Sequence, residues 1–411
     1  MKRILYILMA SLFLFSSCDN EQDPIFEDSP ETRLNKVLNE YKTTLTKDDG
    51  YWIAYYSGSA IFMKFNEDNT VEFQSTFNDG ADDRTITYRV SSSQVPELVF
   101  ESHSVFQAIY EENLTTGEYE FLFDKVADDR IDFISKTDRG ANKTKLTFYK
   151  GTADDIVKAK ELTDKIDVLS VFKEVVIEGN TTYKIEIALN PGGKAQVNTL
   201  VDGRIKTEFY SYDVTASGMI FQPALVFGDG VEAAEFVFDE AANTFQSTDE
   251  TSVTIKVVEE PVLPLSPYAF GSKDALNNFI ESGKSSRAYL NFFNAYKAQL
   301  NEDYGLTISR YYLNAISSPT EVPYIFIQTN FGNFWFEFTY EVKEDGKVYF
   351  TSTGVNNAGA NAPIFEPLIQ LLFNTNGHFI ENSGGLSGYT NGTFSLINAD
   401  DPAYKINFID L

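Results

Sequence analysis

The chain has 411 residues, with 33 Lys+Arg against 60 Asp+Glu, a formal net charge of −27 and 43% hydrophobic residues. That apolar content is too high for a disordered acidic tail, and the acidic excess repels phosphate backbones and sets nucleic-acid binding aside. One Cys excludes an internal disulfide framework or a Cys-rich zinc site, two His leave little room for a His-based metal centre, and the length allows two or three separately cored domains.

Residues 1–17 read as an export signal. Lys2 and Arg3 precede an almost unbroken apolar run from Ile4 to Phe15. At about 12 residues the run is short of the roughly 20 that a spanning helix needs. It ends in Phe15-Ser16-Ser17-Cys18, which resembles the lipobox of bacterial lipoproteins, with Phe15 where Leu is usual. The resemblance implies that Cys18, the only cysteine, is acylated and anchors the mature chain in lipid. Residues 18–28 then form an acidic tether. Its Asp19, Glu21 and Asp23 resemble the signal that sends Bacteroidota lipoproteins to the exterior face of the outer membrane.

From Asp23 the chain reads D-x-x-F-x-x-S-P-x-x-R, through Phe26, Ser29, Pro30 and Arg33. A Cys followed by this pattern resembles the N-terminal signature of Bacteroidota lipoproteins in the family called domain of unknown function 4302, over everything after Cys18. The resemblance implies TonB-dependent nutrient transporters and partner lipoproteins as neighbours. It implies no activity and no catalytic residue.

Three units follow. The first, 29–151, opens with an amphipathic helix: Ser29 is a good N-cap, Pro30 suits the first helical position, and Leu34, Val37, Leu38, Tyr41 and Leu45 share one face. The second, 152–258, opens with a helix whose apolar face is Ile156, Ala159, Leu162, Ile166 and Leu169. Residues 259–271 carry Pro261, Pro264 and Pro267 and suit an extended linker. The third, 272–411, is expected to open with a helix from Ser272 through Leu276, Phe279 and Ile280, broken at Gly283 and resumed along Tyr289, Phe293, Tyr296 and Leu300.

Behind each helix lies a β-rich run with the same order of signals. Thr87–Val90, Leu98–Phe100, Glu120–Asp124 and Phe133 match Ser211–Val214, Met219–Phe221, Glu235–Asp239 and Phe245. A looser third copy runs through Thr339–Val342, Val348–Phe350, Leu371–Asn374 and Phe379. Tyr88 to Tyr212 spans 124 residues and Tyr212 to Tyr340 spans 128. Turn sequences such as Asn66–Asn69, Asn190–Gly193 and Asn376-Gly377 separate apolar alternating runs. The expected fold is mainly β: antiparallel β-rich units in three related copies, each preceded by short amphipathic helices. Two similar units plus a divergent C-terminal domain is the alternative.

Chemistry is thinly signalled. The phosphate-binding loop, the G-x-S-x-G elbow and the H-E-x-x-H zinc motif are absent. His103 and His378 read as loop residues, and no catalytic residue is identified. No metal or cofactor is expected: Asp79, Asp82, Asp83, Asp128 and Asp129 offer oxygen atoms for Ca²⁺ but not at EF-hand spacing, and read as solvated turns. In Asn333–Tyr340, strand alternation places Phe334, Phe336, Phe338 and Tyr340 on a core face, and Trp335 beside Glu337 on the other. Trp335 and Glu337 are therefore candidate ligand contacts, with Trp52, Tyr55 and Tyr56 as a second aromatic group. Tyr311 and Tyr312 form a third, without geometry to support it. The expectation is a non-catalytic, surface-anchored lipoprotein that binds a glycan or peptide nutrient or partners a TonB-dependent transporter. A lipid-anchored hydrolase acting through Asp/Glu carboxylates and an adhesion or surface-structure protein are the alternatives.

Overall fold

The computed structural model describes residues 28–112, 118–138, 143–179, 184–190, 193–227, 230–249, 252–271, 274–276, 284–316, 322–356, 362–385 and 390–410. The export signal, Cys18 and nearly all of the acidic tether lie outside the described residues.

Helix α1 (Pro30–Thr46) starts at N-cap Ser29, whose Oγ accepts from the Thr32 amide at 3.1 Å. Of its expected apolar face only Leu45 is fully buried. Tyr41 packs on Phe123 with ring centroids 4.7 Å apart, so the helix docks mainly by its C-terminal end. Eight antiparallel strands then close a barrel: β1 (Tyr51–Tyr56), β2 (Ser59–Phe65), β3 (Thr70–Ser75), β4 (Thr85–Ser92), β5 (Pro96–Phe100), β6 (Phe121–Val126), β7 (Arg130–Ser135) and β8 (Lys145–Lys150). Alternation sets the inside: in β3, Val71, Phe73 and Ser75 are buried while Glu72 and Gln74 are exposed. Between β5 and β6, helix α2 (Val105–Glu112) pushes Phe106 into the core, where its ring meets those of Tyr56, Phe73, Phe100, Phe121 and Phe148.

The second barrel follows helix α3 (Asp155–Asp167). Its strands are β9 (Lys173–Ile177), β10 (Lys184–Asn190), β11 (Lys194–Val201), β12 (Arg204–Val214), β13 (Gly218–Val226), β14 (Glu232–Asp239), β15 (Thr244–Ser247) and β16 (Val253–Val257), again closed on itself. The 124-residue match falls on the fourth to seventh strands of both barrels. It extends to hydrogen bonds: Tyr88 Oη donates to the Asn66 carbonyl at 3.2 Å and Tyr212 Oη to the Asn190 carbonyl at 3.3 Å. The Tyr88 amide bonds the Asn69 carbonyl at 2.9 Å, and the Tyr212 amide that of Gly193 at 2.8 Å.

The third barrel comprises β17 (Asp274–Leu276), β18 (Ile308–Asn314), β19 (Tyr324–Thr329), β20 (Gly332–Val342), β21 (Lys347–Asn356), β22 (His378–Gly385), β23 (Gly392–Asn398) and β24 (Lys405–Asp410), with helices α4 (Arg287–Tyr304) after β17 and α5 (Ala362–Gln370) after β21. Two expectations fail here. Leu276 is in a strand, not a helix, because β17 must bridge β18 and β24 to close the barrel; residues 277–283 lie outside the described set. Leu371–Asn374 is not a strand either. It turns at the end of α5, where the Leu372 and Phe373 amides bond the Ile369 and Gln370 carbonyls, and Phe379 lies in the sixth strand rather than the seventh. The resumed helix forms as expected, burying Tyr289, Phe293, Tyr296 and Leu300 and ending at Gly305 with φ 66°.

The barrels pack on one another. Ile53, Tyr55, Ala60 and Phe62 of the first meet Ile156, Ala159 and Ile220 of the second. Gly193 lies so close to the β1–β2 turn that a Cβ there would stand 2.1 Å from the Gly58 Cα, and only glycine fits. Phe172, Phe379 and Ile397 join the second barrel to the third. The Pro-rich stretch has no regular element but is held at both ends. Glu186 accepts from the Val262 and Leu263 amides, and Tyr268 stacks on Phe394 at 4.4 Å. No described helix is long and apolar enough to cross a membrane.

Candidate functional site

Strands β18, β19 and β20 lie side by side with Tyr312 opposite Phe326 and Phe326 opposite Trp335. In β20, Phe336 and Phe338 are buried and Phe334 and Tyr340 pack against the same core, while Trp335 and Glu337 face outward. The alternation read from the sequence therefore places Trp335 correctly. It does not stand alone. Its ring lies 5.2 Å from Phe326, Phe326 lies 6.3 Å from Tyr312, and Tyr312 stacks 6.3 Å from Tyr324. Four half-buried aromatic rings thus cross three strands in one row. Gln328 and Asn333 pair at one end, Tyr324 pairs with Glu337 across the strands, and Phe331 is 72% exposed beyond them. Sequence reading missed Tyr324 and Phe326, although β19 carries the signal in its alternation: Ile325, Ile327 and Thr329 inward; Tyr324, Phe326 and Gln328 outward. Of the Tyr311-Tyr312 pair, Tyr311 is core and Tyr312 joins the row.

The other proposed aromatic group is displaced by the fold. Trp52, Tyr55 and Tyr56 are all buried, because both faces of β1 are covered. Trp52 faces the barrel interior and its Nε1 donates to the Leu45 carbonyl at 2.8 Å, satisfying an acceptor at the end of α1. Tyr56 packs on Phe106, and Tyr55 packs against the second barrel. They are core contacts and not a ligand surface.

Three of the acids weighed for Ca²⁺ have partners: Asp82 pairs with Arg84 at 3.0 Å, Asp83 accepts from Ser75 at 2.7 Å, and Asp128 pairs with Lys47 at 2.8 Å. The Asp79 side chain lies outside the described set. Among the described residues no three His, Cys, Asp or Glu side chains converge as metal ligands. His103 is beside Glu111 at 3.3 Å. His378, expected on a loop, is instead fully buried at the start of β22. Burial lowers its pKa to about 4, against the Leu372 carbonyl 3.1 Å from Nε2.

A concave feature lies where the three barrels meet, a crevice of about 900 Å³ bordered by the β1–β2 turn, α2, α3, β12 and the start of α4. Its carboxylates include Asp164 and Asp167, one helical turn apart on α3. Burial raises the Asp167 pKa to about 6, opposed by Arg287 3.8 Å away and by Asn291. The resulting mixed-charge hollow spans all three units.

A family model described as Domain of unknown function (DUF4302) matches residues 22–240, which takes in the first barrel and the second as far as β14. No curated protein matches the chain. Among solved structures, the β subunit of DNA polymerase from Streptococcus pyogenes is 13% identical, with 92% of this chain and 97% of that chain covered and a TM-score of 0.17. The Helicobacter pylori β clamp bound to a DNA ligase peptide is 9% identical, with 92% and 97% covered and a TM-score of 0.18. The Caulobacter crescentus DNA polymerase sliding clamp is also 9% identical, with 88% and 90% covered and a TM-score of 0.18. TM-scores this low support no inference about the chain.

Proposed function

The chain belongs to the family Domain of unknown function (DUF4302), and we propose that it is a non-catalytic, lipid-anchored binding protein of the outer membrane that faces the cell exterior and captures a nutrient, glycan or peptide, for a TonB-dependent transporter. The address is supported by the export signal, Cys18 and the acidic residues Asp19, Glu21 and Asp23. The single observation that carries the binding role is the outward row Tyr324, Tyr312, Phe326 and Trp335. Flat rings with an apolar face and a polar border stack on sugar rings or anchor a partner's side chains.

A thermal-shift panel of glycans and peptides on the full chain tests this reading. A ligand at 100 times its dissociation constant adds about 2.7 kcal/mol and moves the melt visibly. Trp335→Ala should weaken retention of the responding ligand by about 1–3 kcal/mol and leave the melt cooperative. A flat panel counts against nutrient capture and leaves transporter partnership, read by pull-down from native outer membranes. A Trp335→Ala chain that no longer melts cooperatively would show that the ring serves the core instead.

A further inference from the structure

The crevice at the three-barrel junction contains an anomaly of charge. The chain as a whole has 33 basic against 60 acidic residues. Here four cationic side chains, Lys160, Lys173, Lys194 and Arg287, stand against three acidic ones. Lys173 is the most telling. It opens β9, is 3% exposed, and its ammonium donates to the Ser170 carbonyl at 2.6 Å. No carboxylate lies within ion-pair distance of it among the described residues, and burial alone lowers its pKa to about 8. A buried ammonium without a counter-ion is costly, and an apolar side chain of similar length would serve the packing better. Arg287, across the crevice, is held by Asp167 only at 3.8 Å and is 46% exposed. The hollow is therefore lined by one buried cation with no carboxylate partner among the described residues and by one loosely paired guanidinium.

We propose that this crevice is a second binding site, distinct from the aromatic row, for a small organic acid whose carboxylate pairs with Lys173 and is flanked by Arg287. The volume of about 900 Å³ lies within the roughly 300–1,000 Å³ of small-molecule sites. An incoming carboxylate supplies the counter-charge that Lys173 lacks, in surroundings where a charge-assisted hydrogen bond is stronger than at an open surface. Thr163, Asn78 and Asn291 line the same hollow. Thr163 Oγ1 donates to the Ala159 carbonyl at 2.8 Å and Asn78 Nδ2 to Glu112 at 2.8 Å. The remaining acceptors and donors of these side chains suit the polar remainder of a uronic-acid sugar or the C-terminal end of a short peptide. Both sources present the same carboxylate. The site extends the binding reading but does not depend on Trp335.

Calorimetric titration of the full chain separates the arms. Galacturonate is compared with galactose, and the tripeptide Ala-Leu-Ala with its C-terminal amide. The expected result is that at least one acid binds and its neutral twin binds at least tenfold more weakly. The sugar pair or the peptide pair, whichever responds, names the source. Lys173→Met should weaken that acid at least tenfold while melting no lower than the native chain. Should that variant not fold, Arg287→Ala, at a half-exposed position, should cost several-fold in affinity. Equal affinity for acid and neutral twin, no acid binding at millimolar concentration, or unchanged affinity in both variants would each overturn the proposal. So would a loss of acid binding on Trp335→Ala, because it would move the acid to the third barrel's outer face. If the crevice binds nothing while the thermal-shift panel still responds, only this inference falls.

Discussion

The first two barrels share a framework at a 124-residue offset, yet they treat their buried acids in opposite ways. In the first, Glu118 is 1% exposed and fully engaged: Ser135 Oγ, Thr137 Oγ1 at 2.7 Å, the Tyr119 amide at 2.8 Å and the Glu120 amide at 3.0 Å all donate to it. Burial alone would raise its pKa, but these donors outweigh it and hold the carboxyl below its ordinary range. In the second, Asp213 is 2% exposed and accepts from the Gly58 and Ser59 amides of the neighbouring barrel, but its Oδ1 has no partner among the described residues. Burial raises its pKa well above the ordinary value. The first barrel also has α2 and its ring cluster between β5 and β6. One barrel is built as a satisfied core. The other keeps an under-satisfied acid at its contact with the first barrel and, on the crevice, a buried lysine with no carboxylate partner among the described residues.

The largest effect should come from the ring cluster. Phe106→Ala leaves a cavity amid five aromatic neighbours and should cost about 3–5 kcal/mol. Guanidinium unfolding followed at the first barrel checks it; a cost near that of a surface change would mean that α2 does not hold the barrel together.

The acids come next, and their pH dependences should have opposite signs. Glu118, with its lowered folded pKa, contributes stability present above the unfolded value near 4.5 and lost as pH falls through the folded one. Asp213, with its raised folded pKa, contributes stability present below 3.8 and lost as pH rises through the folded value. Glu118→Gln should therefore flatten the acid limb of the stability profile. Asp213→Asn should remove the loss towards neutral pH and gain about 1–3 kcal/mol at pH 7. Urea titrations at pH 4, 5.5 and 7 read both, and parallel slopes would erase the contrast.

The smallest effect tests what the two barrels share. Tyr88→Phe and Tyr212→Phe each delete a hydroxyl bond to the carbonyl of an equivalent Asn, and should each cost about 0.5–1.5 kcal/mol. Markedly unequal costs would show that the two copies no longer use the contact alike.

Much of this architecture was legible in the chain. The helix starts at Ser29-Pro30, the 124-residue spacing and the inward face of Asn333–Tyr340 depend on local periodicity and capping, which residues carry with them wherever they fold. The strand at Leu276 and the turn at Leu371–Asn374 were not legible, because closing a barrel and ending a helix are decided by distant partners. Nor did the chain reveal which aromatic groups face outward. Trp52 and Trp335 both sit in strands rich in apolar residues, but Trp52 turns into the interior of its own barrel and the second barrel covers the opposite face of β1 at Ile53 and Tyr55. The crevice is wholly tertiary. Lys173, Asp167 and Arg287 belong to separate elements, and their charges come to line one hollow only because three barrels meet there.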